Sequence, residues 1–319
     1  MARESGVRRL SSFLFRVLFL IRLDMAMHDF VEIAGGFRSR VEEALKKLFT
    51  PAGILTDADI PAPLVEPLRY ALLGGGKRLR PVCCLAACAT VSGRSDMALP
   101  AALAIEMLHN YTLVHDDLPC MDNDLLRRGQ PTVHAKYGYG EAVLVGDALQ
   151  AAAFEMLFRS PVSPERICRL ANVFARAAGP AGVVGGQWED CCVTASMSKE
   201  RLDYIYAHKT GDLICAALDM GVLAGGGSDA EADAFHRYGL ALGTAFQIID
   251  DLLDADDPAK AEEISILRLM GKDEALALAK QTTDDGLRAL DEVRPAGSEQ
   301  EAAHALLRHL AISQISRTL

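Results

Sequence analysis

Residues 99–122 read LPAALAIEMLHNYTLVHDDLPCMD: an apolar run of helical length that ends on three carboxylates, Asp116, Asp117 and Asp122. A second segment repeats the device, with Phe246-Gln247 leading through isoleucines to Asp250-Asp251-Leu252-Leu253-Asp254. Placing ionised carboxylates side by side in apolar surroundings costs several kcal/mol per charge unless cations neutralise them, so such clusters either face water or hold metal. Two of them in one chain point to one shared metal site.

The surrounding composition places both clusters on helices. Half of the 319 residues are apolar, alanine and leucine abound, and only 6% are aromatic. That balance suits helices packed on helices better than sheets, so the expected class is all-α. Helices are predicted over 37–49, 64–73, 82–89, 99–118, 141–158, 164–178, 199–223, 231–254, 264–290 and 300–310 from apolar spacing and Gly or Pro stops. No Pro/Gly/Ser-rich linker divides the chain, so residues 31–319 read as a single domain behind an N-terminal extension, 1–30. No β-hairpin signal or internal repeat competes.

A net charge of −10 argues against a nucleic-acid surface, which needs clustered Lys and Arg. An anionic substrate must instead meet a few local cations. Eight cysteines, at 83, 84, 88, 120, 168, 191, 192 and 215, lack zinc-ligand spacing and read as reduced, buried thiols in a reducing compartment. At the N-terminus, Arg3, Arg8 and Arg9 precede the apolar run 13–21, which Arg16 interrupts. The run resembles a signal-type or targeting segment and is too short for an integral membrane span. The plainer reading is a mis-assigned start, with the working protein beginning near Met25 or Met27, and a cytoplasmic location is expected on that reading.

Residue spacing gives the clusters their chemistry. Asp250 and Asp254 stand i and i+4, one helical turn apart on one face, where they can share Mg2+. Magnesium takes hard oxygen ligands and commonly bridges a few carboxylates to substrate phosphates. Asp116 and Asp122 would lie on different faces of an unbroken helix, but Pro119 should end or kink it and can swing Asp122 back toward Asp116. Arg127 and Arg128 follow with planar forks suited to phosphate oxygens. Upstream, Gly74-Gly75-Gly76 permits positive φ just before Lys77-Arg78-Leu79-Arg80-Pro81, a junction that presents cations.

Taken in order, Gly75 to Pro81, the helix 106–113 with His109, the first aspartate cluster through Arg127-Arg128-Gly129, Gly146-Asp147, Gly185-Gly186-Gln187, Lys209-Thr210-Gly211 and Phe246-Gln247 through Asp254 make the chain similar to trans-isoprenyl diphosphate synthases. Within that family it most resembles bacterial farnesyl diphosphate synthases. The resemblance implies an isoprenoid synthase-type bundle of long antiparallel helices around a central cavity, usually homodimeric. It implies that Asp116, Asp117, Asp122, Asp250, Asp251 and Asp254 hold several Mg2+ ions that grip an allylic diphosphate. Arg127, Lys209, Thr210 and Gln247 would contact that substrate, and Lys77, Arg80, His109 and Arg128 would bind isopentenyl diphosphate. The catalytic set is then Asp116, Asp117, Asp122, Arg127, Lys209 and Asp250. The expected reaction is magnesium-assisted ionisation of dimethylallyl or geranyl diphosphate and attack by the isopentenyl double bond, with farnesyl diphosphate as the favoured product.

Product length should be set beneath the first cluster. Thr112 is four residues before Asp116, with Tyr111 beside it, about one turn or roughly 5 Å deeper. Tyr111 is bulky enough to floor the cavity. One departure from the family stands out: after Asp254 the usual glycine- and lysine-containing loop is shortened, and Glu262 or Glu263 stands where a second lysine belongs. A negative charge there would repel diphosphate. The readings left open are a geranylgeranyl or geranyl diphosphate synthase, a weakly active or non-catalytic paralogue acting as a partner subunit, and a terpene cyclase. The last would not need the Lys77, Arg80 and His109 set.

Overall fold

The structure is a computed structural model. It describes residues 30, 32–53, 55–56, 58–191, 198–256 and 264–316. The chain is helical almost throughout: α1 (32–46), α2 (Ala62–Leu73), α3 (Leu79–Ser92), α4 (Leu99–Asp116), α5 (Val133–Tyr137), α6 (Tyr139–Phe158), α7 (Pro164–Ala178), α8 (Val183–Cys191), α9 (Lys199–Ile205), α10 (Asp212–Gly225), α11 (Asp229–Asp254), α12 (Lys272–Leu290) and α13 (Ser298–Ile315). The all-α bundle expected from composition is what forms.

Two helices sit at its centre. Every residue of α3 from Val82 to Thr90 is buried, and so is α4 from Ala101 to Leu108. Small side chains make this possible. A Cβ on Gly221 of α10 would lie 2.2 Å from the Cys84 carbonyl oxygen of α3, so the two backbones approach to a distance only glycine allows. One apolar cluster joins residues of α1 to α4, α6, α7 and α10, and a second joins α3 and α10 to α11, α12 and α13. Each fully buried leucine in them contributes about 1.5–3 kcal/mol relative to an exposed one. Helix starts follow local rules: Ser228 and Glu231 form a reciprocal capping box at α11, and Ser163 caps α7 ahead of Pro164.

Several stretches differ from expectation, among them the short helix α5, which has no predicted counterpart. Helix 199–223 is interrupted by a π-helical turn, Tyr206–Gly211. The predicted helix 264–290 begins only at Lys272, and Ile266–Arg268 forms a 3-10 turn before it. Its amide explains why: Ile266 N donates to Asp251 Oδ2 at 2.7 Å and to the Tyr206 hydroxyl at 3.0 Å, so a tertiary partner has claimed the donor. A two-stranded ribbon pairs Leu126–Arg127 (β1) with Gln130–Pro131 (β2). Arg128 and Gly129 both have positive φ, 55° and 75°, the conformation of a type I′ turn. Helix α8 also went unpredicted. Of the cysteines expected to be buried, Cys120, Cys168 and Cys191 are instead exposed. Among the described residues no helix is long and apolar enough to cross a membrane, and residues 1–29 lie outside the description.

Candidate active site

Helix α4 ends at Asp116, and Pro119 sits in the turn that follows. There the chain folds back, with Met121 N and Asn123 N both donating to the Leu118 carbonyl and Asp122 N to Asp116 O at 2.9 Å. This closes the six-residue gap, as the proline required. Asp116 and Asp122 face a cavity of about 1190 Å3 whose far wall carries Asp250, Asp251 and Asp254 of α11. Lys77, Arg80, His109, Arg127, Arg128, Lys209, Thr210 and Gln247 line the same space. Lys77 Nζ lies 6.0 Å from the centre of the Phe246 ring, joining the glycine junction to α11.

The acidic clusters each divide their labour. Asp117 is 3% exposed and faces away from the cavity, where its carboxylate accepts from Arg127 Nε at 2.7 Å. It was predicted as a metal ligand; its geometry is that of a clamp holding Arg127. Asp251, 8% exposed, accepts from Tyr206 Oη and Ile266 N, with Gln247 Nε2 at 3.4 Å from its other oxygen. Successive residues on a helix differ by about 100°, and Asp117, next to Asp116, is turned off the cavity that Asp116 lines.

Asp116 is the most strained electrostatically. Burial pushes its carboxyl up to about 7, Asp122 adds to the rise, and Lys209 and Arg127 oppose it. Asp122 is also raised, again chiefly by burial. These acids lack enough counter-charge. Among the described residues no three His, Cys, Asp or Glu side chains converge on one metal position. The carboxylates that line the cavity, from Asp116, Asp122, Asp250 and Asp254, are hard oxygen donors of the kind that suit Mg2+ shared with a diphosphate.

The cationic end is built from the glycine junction. Gly75 and Gly76 adopt φ of 81° and 126°, and a Cβ on Gly76 would lie 2.6 Å from Arg128 Nη1. The expected close approach is thus made by Arg128, whose guanidinium bonds the Gly75 carbonyl. Tyr70 Oη pins the ribbon that carries Arg128 by donating to Pro131 O at 2.7 Å. Arg78, which sequence reading passed over, is fully buried. It pairs with Glu106 at 2.6 Å and Glu42 at 2.7 Å and donates to Leu72 O. Its signal was there: Glu106 inside an apolar helix requires a buried cation. Arg80 has a buried Nε without a hydrogen-bond partner, an orphan donor suited to an anion. Burial, then the charges of Arg80 and Arg128, holds His109 well below the usual imidazole range, so it is a neutral hydrogen-bonding group.

Lys209 and Thr210 project from the π turn, an irregularity frequent at functional sites. Lys209 Nζ bonds Asp190 of α8, and Thr210 Oγ1 donates to Gln247 Oε1 at 3.0 Å. A Cβ on Gly186 would lie 2.3 Å from Lys209 N, which explains the Gly185-Gly186-Gln187 motif as a close crossing of α8 and the π turn. Asp190, three residues past Gln187, was missed.

Tyr111 and Thr112 line a separate pocket of about 160 Å3, together with Val183, Val184, Trp188 and Cys191; Asp116 borders both spaces. The Tyr111 ring packs edge-on against His115, centroids 4.8 Å apart. A Cβ on Gly146 would lie 2.0 Å from His115 Nε2, so that glycine gives the imidazole its room. Beyond Asp254, Lys272 Nζ holds Asp256 at 2.9 Å. Lys260, Glu262 and Glu263 lie outside the described residues.

Similarity to known proteins agrees with this arrangement. The polyprenyl synthetase family profile matches residues 61–265. Geranylgeranyl pyrophosphate synthase 7, chloroplastic, of Arabidopsis thaliana is 42% identical over 242 residues, 70% of each chain. A heterodimeric geranylgeranyl pyrophosphate synthase large subunit of the same plant is 40% identical over 260 residues, 73% of this chain and 70% of that one. The crystal structure of a geranyltransferase from Helicobacter pylori superposes with TM-score 0.76 at 34% identity, covering 88% of this chain and 98% of that one. An FPP/GFPP synthase of Zymomonas mobilis does so with TM-score 0.76 at 35% identity, covering 87% and 98%. With its two aspartate clusters facing one cavity and the family profile spanning both, the chain belongs to the polyprenyl synthetase family of trans-isoprenyl diphosphate synthases.

Proposed function

We propose that this prenyltransferase condenses isopentenyl diphosphate with dimethylallyl or geranyl diphosphate and releases farnesyl diphosphate. Asp116, Asp122, Asp250 and Asp254 hold the magnesium that comes with the allylic diphosphate. Bound there, the metal supplies Lewis-acid stabilisation of charge on the departing diphosphate. Arg127, fixed by Asp117, and Lys209, fixed by Asp190, add positive charge aimed at the same oxygens. Thr210 and Gln247 orient the allylic group, and Arg80, Lys77, Arg128 and neutral His109 receive isopentenyl diphosphate. Carbon–carbon bond formation follows ionisation, and the proton lost from the isopentenyl unit passes to the released diphosphate. Water must be kept from the site during the reaction, since it would capture the cation.

The observation that carries the farnesyl product is Tyr111, whose ring, braced by His115, stands in a small pocket directly below Asp116. A geranylgeranyl product is the second reading, favoured by the names of the plant relatives. Sizing the products formed from labelled isopentenyl diphosphate and each primer separates them: a C15 product supports the proposal and a C20 product overturns it. Tyr111→Ala should shift the product distribution to longer chains. Residues 31–319 are proposed to act as one unit in a cytoplasmic homodimer; sedimentation of the purified protein tests the assembly. Stimulated turnover only on mixing with an active synthase would mark a partner subunit instead.

A further inference from the structure

The chain after Asp254 is where this protein departs from its family, and it is also where the cavity wall gains an unassigned cation. The described residues there that line the cavity are Ala255, Asp256, Ile264, Ser265, Leu267 and Arg268. Among these Arg268 is the one cation. It lines the same cavity as Asp250, Asp254 and Lys209.

Its placement is built into the fold. The 3-10 turn Ile266–Arg268 starts at Ser265, whose Oγ accepts from Leu267 N at 3.2 Å. Arg268 N closes the turn on Ser265 O at 3.1 Å, and Leu269 N follows on Ile266 O at 2.9 Å. Ile266, 4% exposed, anchors it in the apolar cluster of α9, α11 and α12. The amide of the same residue is held by Asp251 and by the Tyr206 hydroxyl. Asp251 thus uses its carboxylate to fasten this turn to the second aspartate cluster. The turn it fixes brings a guanidinium to the lining of the same cavity. Tyr206 opens the π turn that carries Lys209 and Thr210, so the two cations stand on elements tied through one tyrosine–aspartate pair.

We propose that Arg268 is a substrate-binding residue for the allylic diphosphate, supplying from the 3-10 turn the positive charge that the shortened loop no longer supplies. A guanidinium suits the task, since its planar fork can bond two phosphate oxygens at once and stays charged at any working pH. The inference rests on the reading of the cavity as a diphosphate site.

The test uses the full-length protein with Arg268→Ala and Arg268→Lys, and two readouts: steady-state kinetics, and the thermal shift produced by inorganic pyrophosphate with MgCl2. Arg268 is exposed, so neither change should alter the ligand-free Tm. Loss of a charge-assisted contact predicts that Arg268→Ala raises KM for geranyl diphosphate about tenfold or more, leaves KM for isopentenyl diphosphate within about twofold, and halves the pyrophosphate shift. Arg268→Lys should recover part of both effects. An unchanged geranyl diphosphate KM and an unchanged shift, in a protein whose wild type turns over, overturn the proposal and leave the prenyltransferase reading intact. A parallel rise in both KM values with a lowered ligand-free Tm also overturns it, as the mark of a structural role. A wild-type protein with neither turnover nor a magnesium-dependent shift removes the diphosphate site itself.

Discussion

At the scale of single residues, the site depends on pairs buried behind it. Arg78 has no exposed side-chain surface, and Glu106 neutralises it at 2.6 Å. Glu106→Ala leaves only the partly exposed Glu42 against that charge and should destabilise the protein by about 1–3 kcal/mol, measured by urea unfolding. Asp117 and Asp116 make a sharper comparison, because they are adjacent and chemically identical. Asp116→Ala removes a cavity carboxylate and should lower kcat by roughly 1000-fold, whereas Asp117→Asn only loosens Arg127 and should cost roughly 100-fold or less. Equal losses in the two variants would contradict the division of labour drawn from the geometry. Which acids would share one cavity was readable from residue type and setting, as with those at 116, 122, 250 and 254, all of which line it. The bonds that Asp117 makes to Arg127 and Asp251 to Tyr206 and Ile266 were not readable, because spacing along a helix does not reveal which neighbour a carboxylate will meet across the bundle. Asp190 escaped for the same reason: its partner Lys209 is 19 residues away.

Elements were readable where local rules act without competition. Helix α7 appears at its predicted bounds because Ser163, Pro164 and a regular apolar stripe agree. The π turn could not be foreseen, since one extra residue in a turn barely disturbs the apolar period. The run from Ile264 to Met270 looked helical because its apolar spacing is helical, yet Asp251 and Tyr206 drew the Ile266 amide away. The Arg128–Gly129 turn was missed because arginine is an uncommon residue at positive φ. Gly186→Ala tests the crossing of α8 and the π turn: with a methyl 2.3 Å from Lys209 N, the turn must shift. Activity should fall by roughly 100-fold, a misplacement effect, while circular dichroism stays helical. Between α10 and α11, His236 Nδ1 meets Asp219 at 2.9 Å. That bond, with Asp219, Asp212 and Asp233 nearby, raises the imidazole above its usual 6.5. A raised histidine stabilises the fold below its unfolded value, and the benefit is lost as pH climbs through the folded one. Tm should therefore decline from about pH 6.5 upward more steeply in the wild type than in His236→Gln, which thermal melts across pH 6–9 will measure.

Over the whole molecule, the two aspartate clusters end helices from different parts of the bundle. Asp116 closes α4, which packs with α2, α3, α6 and α10, and Asp254 closes α11, which packs with α10 and α12. Burial has lifted Asp116 to about 7. A ligand that carries magnesium between the clusters therefore does two things at once: it neutralises a buried acid, Asp116, and it ties one half of the bundle to the other. Anything bound only by the folded state stabilises it by RT ln(1 + [L]/Kd), about 2.7 kcal/mol at a hundredfold excess over Kd. For a chain of this size that corresponds to a rise in Tm of about 5 °C or more. Inorganic pyrophosphate with MgCl2 should produce it, while pyrophosphate with EDTA or magnesium alone should give little. Changing Asp250 and Asp254 together to alanine should remove most of the rise without lowering the ligand-free Tm, since both acids face the cavity. A full shift in that variant would mean that the first cluster binds magnesium diphosphate unaided, and that the second serves a later step than capture.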